Sequence, residues 1–176
     1  RDPDAFIAVA DTAESGKDST AMPIAALYGD EVYIVDVVYD DSPAEVTKPE
    51  CAKCLIDNKV GDALFESNNA GMYFARDVAE LVKNAGFNTS IRTKRTISNK
   101  QTRIEFASDG IKKHFYFKHP STYKRGCQYW GFMQEVTTYV RSGKVAHDDA
   151  PDSLSLLENE IRNRISGKIE IFKRPF

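Results

Sequence analysis

Residues 144–157 read KVAHDDAPDSLSLL, a histidine and three aspartates immediately ahead of an apolar run. The run from Asp149 to about Arg164 has helical spacing, so Asp149 and Asp152 share a face, and Asp148 lies four residues before Asp152. Acids at a helix start satisfy unpaired N–H groups and the positive end of the helix dipole, so a capping cluster is one reading. Charge gives the other, because carboxylates this close repel unless a cation sits between them. That second reading requires more acids from elsewhere in the chain.

Two strands supply them. AFIAVAD (5–11) is a short apolar run ending in an acid, the form of a strand buried on both faces, and DALFES (62–67) places Glu66 near the end of another. Between them, STAMPIAALYG (19–29) and EVYIVDVVYD (31–40) form a hairpin turned at Gly29-Asp30, in which Pro23 predicts an irregular or edge position. SPAEVTKPECAKCLIDNK (42–59) reads as a helix capped by Ser42, with Val46, Cys51, Cys54 and Leu55 on its buried face. NAGMYFARDVAELVKNAG (69–86) is a second helix, buried through Met72, Ala75, Val78, Ala79 and Val82 and closed by Gly86. FNTSIRT (87–93) is a fifth strand. SNKQTRIEFASDGIKKH (98–114) is helical, FYFKHP (115–120) is briefly extended, and residues 121–143 form a whole or broken helix with Trp130 in the core. The predicted class is α/β: a mixed five-stranded sheet, its first three strands antiparallel and the later ones parallel, flanked by helices.

At 176 residues with 41% hydrophobic and 11% aromatic content, the chain has the composition of one ordinary globular domain. It contains no apolar run of membrane-spanning length, and its first residues lack the form of a signal peptide. Cys51 and Cys54 have the spacing of a zinc knuckle, but no second pair follows, so both read as helix positions. The net charge of −2 conceals a strong segregation: residues 92–125 hold ten Lys/Arg against two acids, a local net of +8, leaving 14 basic and 24 acidic residues elsewhere. A basic segment apart from an acid cluster suits a chain that binds a phosphate backbone with one and metal with the other. DTAESGKD (11–18) departs from the phosphate-loop pattern, with Asp11 at the first glycine position and Asp18 at the Ser/Thr position, so no ATPase site is expected here.

Taken together, FIAVADTAESGKDSTAM (6–22), ALFESNNAG (63–71), SNKQTRI (98–104) and HDDAPDSL (147–154) resemble the nuclease domain of the large terminase subunit of tailed phages. That family is a branch of the RNase H-like superfamily, which also contains Holliday-junction resolvases, and the resemblance runs over about residues 5–160. It implies an RNase H-like sheet with the first strand central and the fourth beside it. It further implies a single nuclease domain over 1–176, with a tail from about 165, cut from a larger chain with an N-terminal ATPase.

The same resemblance assigns catalysis and metal binding to Asp11, Glu66, Asp149 and Asp152, with Asp18, Lys100, His147 and Asp148 as supporting candidates. Asp148 and Asp149 remain alternatives for one ligand. The implied cofactors are two divalent cations, Mg2+ or Mn2+, and the implied reaction is endonucleolytic cleavage of double-stranded phage DNA during genome packaging in the bacterial cytoplasm. Arg92, Lys94, Arg95, Lys100, Arg103, Lys124 and Arg125 are the candidate DNA track, meeting phosphates rather than bases. The implied partners are the ATPase domain, the small terminase subunit and the portal protein, with this domain alone a monomer. Two other readings stay open: a resolvase-like nuclease acting as a dimer on branched DNA, and a catalytically weak DNA- or portal-binding module.

Overall fold

Strand β1 (Ala5–Ala10) is buried on both sides because its side chains alternate between two cores, Ile7 and Val9 in one, Ala8 and Ala10 in the other. In the computed structural model, which describes residues 1–12, 19–67, 71–140 and 148–166, β1 lies inside a six-stranded sheet of order β5-β4-β1-β2-β3-β6. β2 (Thr20–Tyr28) and β3 (Glu31–Asp40) follow antiparallel, turning at Gly29, whose φ of 67° is left-handed and suits glycine. β4 (Asp62–Glu66) and then β5 (Ser90–Lys94) add in parallel on the other side of β1.

The antiparallel-then-parallel plan is as expected, but the sheet has six strands, not five. The extra one, β6 (Phe115–Phe117), pairs parallel with β3 from Val32↔Phe115 to Ile34↔Phe117. Three residues are too few for a period-two pattern to register. Pro23 sits in an interior strand rather than at an edge, and the irregularity is local. Pairing of β1 with β2 stops at Ala8↔Ile24 and returns as a bridge at Asp11↔Ala21, while the β2–β3 register shifts between Ile24 and Ala25. Proline has no N–H to give the ladder, and the bulge beside it absorbs the break.

Helices α1 (Ala44–Asp57) and α2 (Gly71–Asn84) cover one face through Cys51, Leu55, Phe74 and Val78. On the other face α4 (Gln128–Thr138) and α5 (Asp149–Ser166) pack Tyr129, Phe132, Leu154 and Leu157. α3 (Lys100–His114) lies against α5 rather than on the sheet. The buried faces of α1 and α2 are largely as expected, with Cys51, Cys54, Leu55, Ala75, Val78 and Val82 all in the core, and single positions differ. Val46, Met72 and Trp130 are not core residues; Thr47, Phe74 and Tyr129 are buried instead. Val46 and Met72 stand in the first turn of their helices, where one position to either side faces about 100° away, and Trp130 neighbours the buried Tyr129 in the same way. In α1 the start is Pro43, not Ser42, whose N–H is held by Asp40 Oδ1 at 2.6 Å. Gly86, at φ 77°, closes α2 as expected, its N–H donating to the Lys83 carbonyl and that of Phe87 to Val82. Among the described residues no helix is long and apolar enough to cross a membrane.

Candidate active site

Parallel pairing sets Ala10 beside Phe65, so the next residue on each chain, Asp11 and Glu66, are neighbours at the same end of the sheet. Ala10 and Phe65 face the α1–α2 core, whereas Val9 and Leu64 face the α4–α5 core. Strand alternation therefore sends Asp11 and Glu66 toward α5. Asp11 is fixed by reciprocal backbone hydrogen bonds with Ala21, at 3.0 and 2.9 Å. Behind Glu66, α2 starts so close that a Cβ on Gly71 would lie 2.1 Å from the Glu66 carbonyl oxygen and 3.0 Å from Thr12 Oγ1. Only glycine allows that approach.

The first turn of α5 brings in the remaining acids. Oxygens of Asp11, Glu66 and Asp152 all lie within 4.8 Å of one another, and Asp152 is 1% exposed. Asp149 stands beside this trio, its Oδ2 accepting the Ser19 N–H and its Oδ1 accepting from Lys100 Nζ, each at 2.9 Å. Lys100 Nζ also lies 2.9 Å from Asp148, 3.5 Å from Asp11 and 3.6 Å from Asp152. Asp148 and Asp149 thus both reach the lysine, Asp148 from the more exposed side. Arg103 grips Asp152 with two parallel bonds, Nε to Oδ1 at 2.9 Å and Nη2 to Oδ2 at 2.6 Å, and its Nη2 lies 3.9 Å from Glu66.

Burial acts most strongly on Asp11, and Asp152, Glu66 and Asp149 add to it against the opposing Lys100, so its pKa is pushed up to about 8. Burial also raises Asp152, against the pull of Arg103 and Lys100. Desolvation works against the Lys100 ammonium, yet Asp11, Asp149 and Asp148 outweigh it and hold the group charged above the usual lysine range. Asp11, Glu66, Asp149 and Asp152 face two cations, Lys100 and Arg103, so the cluster is short of positive charge. Hard oxygen donors from three segments, converging where charge is lacking, fit a hard divalent cation.

Residues 10–114 match the family model described as Terminase Bacteriophage T7, Ribonuclease H-like domain. The chain belongs to this terminase family. The match spans Asp11, Glu66, Lys100 and Arg103, while the acids of α5 lie beyond it. No curated protein sequence matches the chain. Among solved structures, the human cytomegalovirus terminase nuclease domain, Mn soaked and inhibitor bound, is similar with a TM-score of 0.63 at 12% identity, over 94% of this chain and 86% of that one. The nuclease domain of the large terminase subunit of bacterial virus Sf6 is similar at 0.60 and 12% identity, over 90% and 89% of the two chains. The fowlpox virus Holliday junction resolvase follows at 0.56 and 11% identity, over 90% and 99%. At these identities the likeness is one of fold, while the RNase H-like class is given by the family model.

Within this terminase domain the predicted acids Asp11, Glu66, Asp149 and Asp152 converge, joined by Asp148 and Lys100, whereas Asp18 and His147 lie outside the described residues. The basic candidates divide. Arg103 is turned inward onto Asp152, and Arg92 is held by Asp62 at 3.1 Å and Glu160 at 2.7 Å. Lys94, Arg95, Lys124 and Arg125 are exposed. Trp130, half-buried, lies under the Arg125 guanidinium at 5.8 Å. One positioning group escaped the sequence reading. Glu135 Oε1 accepts the Ala150 N–H at 2.9 Å, while its Oε2 accepts the Tyr39 hydroxyl, so a carboxylate of α4 caps the start of α5. Nothing in the spacing around Glu135 marks it, because its partner lies 15 residues on in a different helix.

Proposed function

We propose that this chain is a metal-dependent endonuclease that cuts double-stranded phage DNA during genome packaging, as the nuclease domain of a terminase large subunit. The observation that carries this is the convergence of Asp11, Glu66 and Asp152 within 4.8 Å at the end of an RNase H-like sheet, in a chain of the terminase family. Asp11, Glu66 and Asp152, with Asp149 alongside, would hold two divalent cations. When bound, such ions activate water for attack at phosphorus and neutralise charge on the leaving oxygen. Arg103 fixes the orientation of the Asp152 carboxylate, and Lys100 offers its ammonium to the phosphate being cut. Catalysis is then charge placement, with no side chain acting as nucleophile.

Residues 1–176 would serve as the whole nuclease domain, following an ATPase domain in a longer chain and meeting the small terminase subunit and portal in the host cytoplasm. Supercoiled plasmid incubated with Mn2+, Mg2+ or EDTA tests the activity. Nicked and linear products should form with metal and vanish with EDTA, and Asp11→Asn should lower the rate by at least about 100-fold while the fold survives. Cutting that persists in EDTA or in Asp11→Asn would overturn the assignment. The fold likeness to the fowlpox resolvase supports a second reading, cleavage of branched DNA. Preference for a four-way junction over linear duplex would favour it.

A further inference from the structure

Beside the acid cluster, β4, α3 and α5 enclose a cleft of about 380 Å3 that has Glu66 and Arg103 at one end. Its lining mixes buried Leu64 and Leu156 with Glu158 and Glu160, which are neutralised by Arg162 and by Arg92 and Arg164, and it carries two large apolar side chains in solvent, Phe106 at 76% exposure and Ile97 at 91%. Single exposed apolar residues are ordinary on a protein surface. These two come from separate segments, α3 and the connection before it, and both line the one cleft. Lys94 and Arg95 line the same cleft, both exposed and without an acidic partner among the described residues. Phe106 follows Lys100 by six residues on α3, about 9 Å along the helix axis. That is about the rise of two to three base steps from Lys100, which reaches the carboxylates.

An aromatic face and an aliphatic side chain, flanked by cations, suit a flat ring carried on an anionic backbone. Base stacking on such a platform tolerates any sequence, because every base has a π-face. We propose that this cleft is a nucleobase site: Phe106 and Ile97 hold one base unstacked from the DNA near the phosphate to be cut, and Lys94 and Arg95 hold the phosphates flanking it. Drawing out a base bends the strand toward the carboxylates, so cutting is favoured where the duplex opens easily. The inference rests on the DNA-cleavage reading above.

Fluorescence anisotropy of the full chain in EDTA, with a short duplex and with the same duplex carrying a central mismatched bubble, separates base binding from cutting. Wild type should bind the bubble at least about fivefold more tightly, and Phe106→Ala should bring the ratio close to one. Lys94→Ala should weaken both complexes alike. Phe106 is exposed, so its loss leaves the core intact. Equal affinity of wild type for the two duplexes, or a bubble preference that survives Phe106→Ala, overturns the base site. Plasmid cutting with Mn2+ is read independently. A chain with the Phe106-dependent preference that cuts nothing keeps the base site and refutes the nuclease reading, whereas cutting without the preference does the reverse.

Discussion

A carboxyl group that stays protonated in the folded chain and ionises in the unfolded one makes stability fall as pH rises. Asp11 is such a group, with a pKa pushed from 3.8 to about 8 first by burial and then by its acidic neighbours. Its contribution is complete below the unfolded value and is lost as pH climbs through the folded one; Asp152, also raised, acts in the same direction. In EDTA, melting temperature should therefore fall between pH 5 and 8.5, by about 2–4 °C for each kcal/mol lost in a domain of this size. Metal needs the ionised form, so Mn2+ should bind more tightly as pH rises toward 8 and should flatten the fall. Asp11→Asn should flatten it without metal. A steep fall that persists in Asp11→Asn would move the effect to another group. Of the site residues, the acids were legible because each ends a strand or starts a helix. Arg103 read as a DNA contact, since sequence gives a charge but not the carboxylate, 49 residues away, that will hold it.

Elements deliver these side chains, and the start of α5 is the joint on which two of them depend. Glu135, on α4, accepts the Ala150 N–H and the Tyr39 hydroxyl, tying α5 to α4 and β3 between Asp149 and Asp152. Glu135→Ala leaves both donors without a partner, which should cost about 1–3 kcal/mol. Because the loss falls at the first turn of α5, Mn2+ affinity should drop as well, by calorimetric titration, and Glu135→Gln should restore much of it by keeping an acceptor. A destabilised variant with unchanged metal affinity would make Glu135 a packing residue only. The same scale explains what was legible of the fold. β1 through β4 have apolar runs long enough to read, β5 carries only Ile91 as an apolar position, and the order of the five is the expected one. β6 has three residues and no readable period, and it exists because β3 leaves an edge for it. Helix existence was also plain, and so were the buried faces of α1 and α2, whereas single positions at Val46, Met72 and Trp130 turned outward where neighbouring Thr47, Phe74 and Tyr129 meet the core.

For the molecule as a whole, the basic segment 92–125 meets an otherwise acidic chain partly within itself. Arg92, Lys100 and Arg103 turn to carboxylates of β4, of α5 and of Asp11 just after β1, so three of its ten cations hold the fold and the site together. The charge facing outward is therefore smaller than the composition suggests. Near the acid cluster it comes from Lys94 and Arg95, which are exposed on the rim of the adjoining cleft. Each phosphate neutralised contributes about −0.9 to the slope of log K against log salt. Binding of duplex DNA in EDTA over a salt series should thus lose about two units of slope when Lys94 and Arg95 are both replaced by alanine. Arg92→Ala should leave the slope unchanged and instead lower melting temperature by at most about 2–4 °C, since its pairs with Asp62 and Glu160 are partly exposed. If Arg92→Ala instead removes about one unit of slope with no loss of stability, those pairs open to receive DNA, and the track extends across β5.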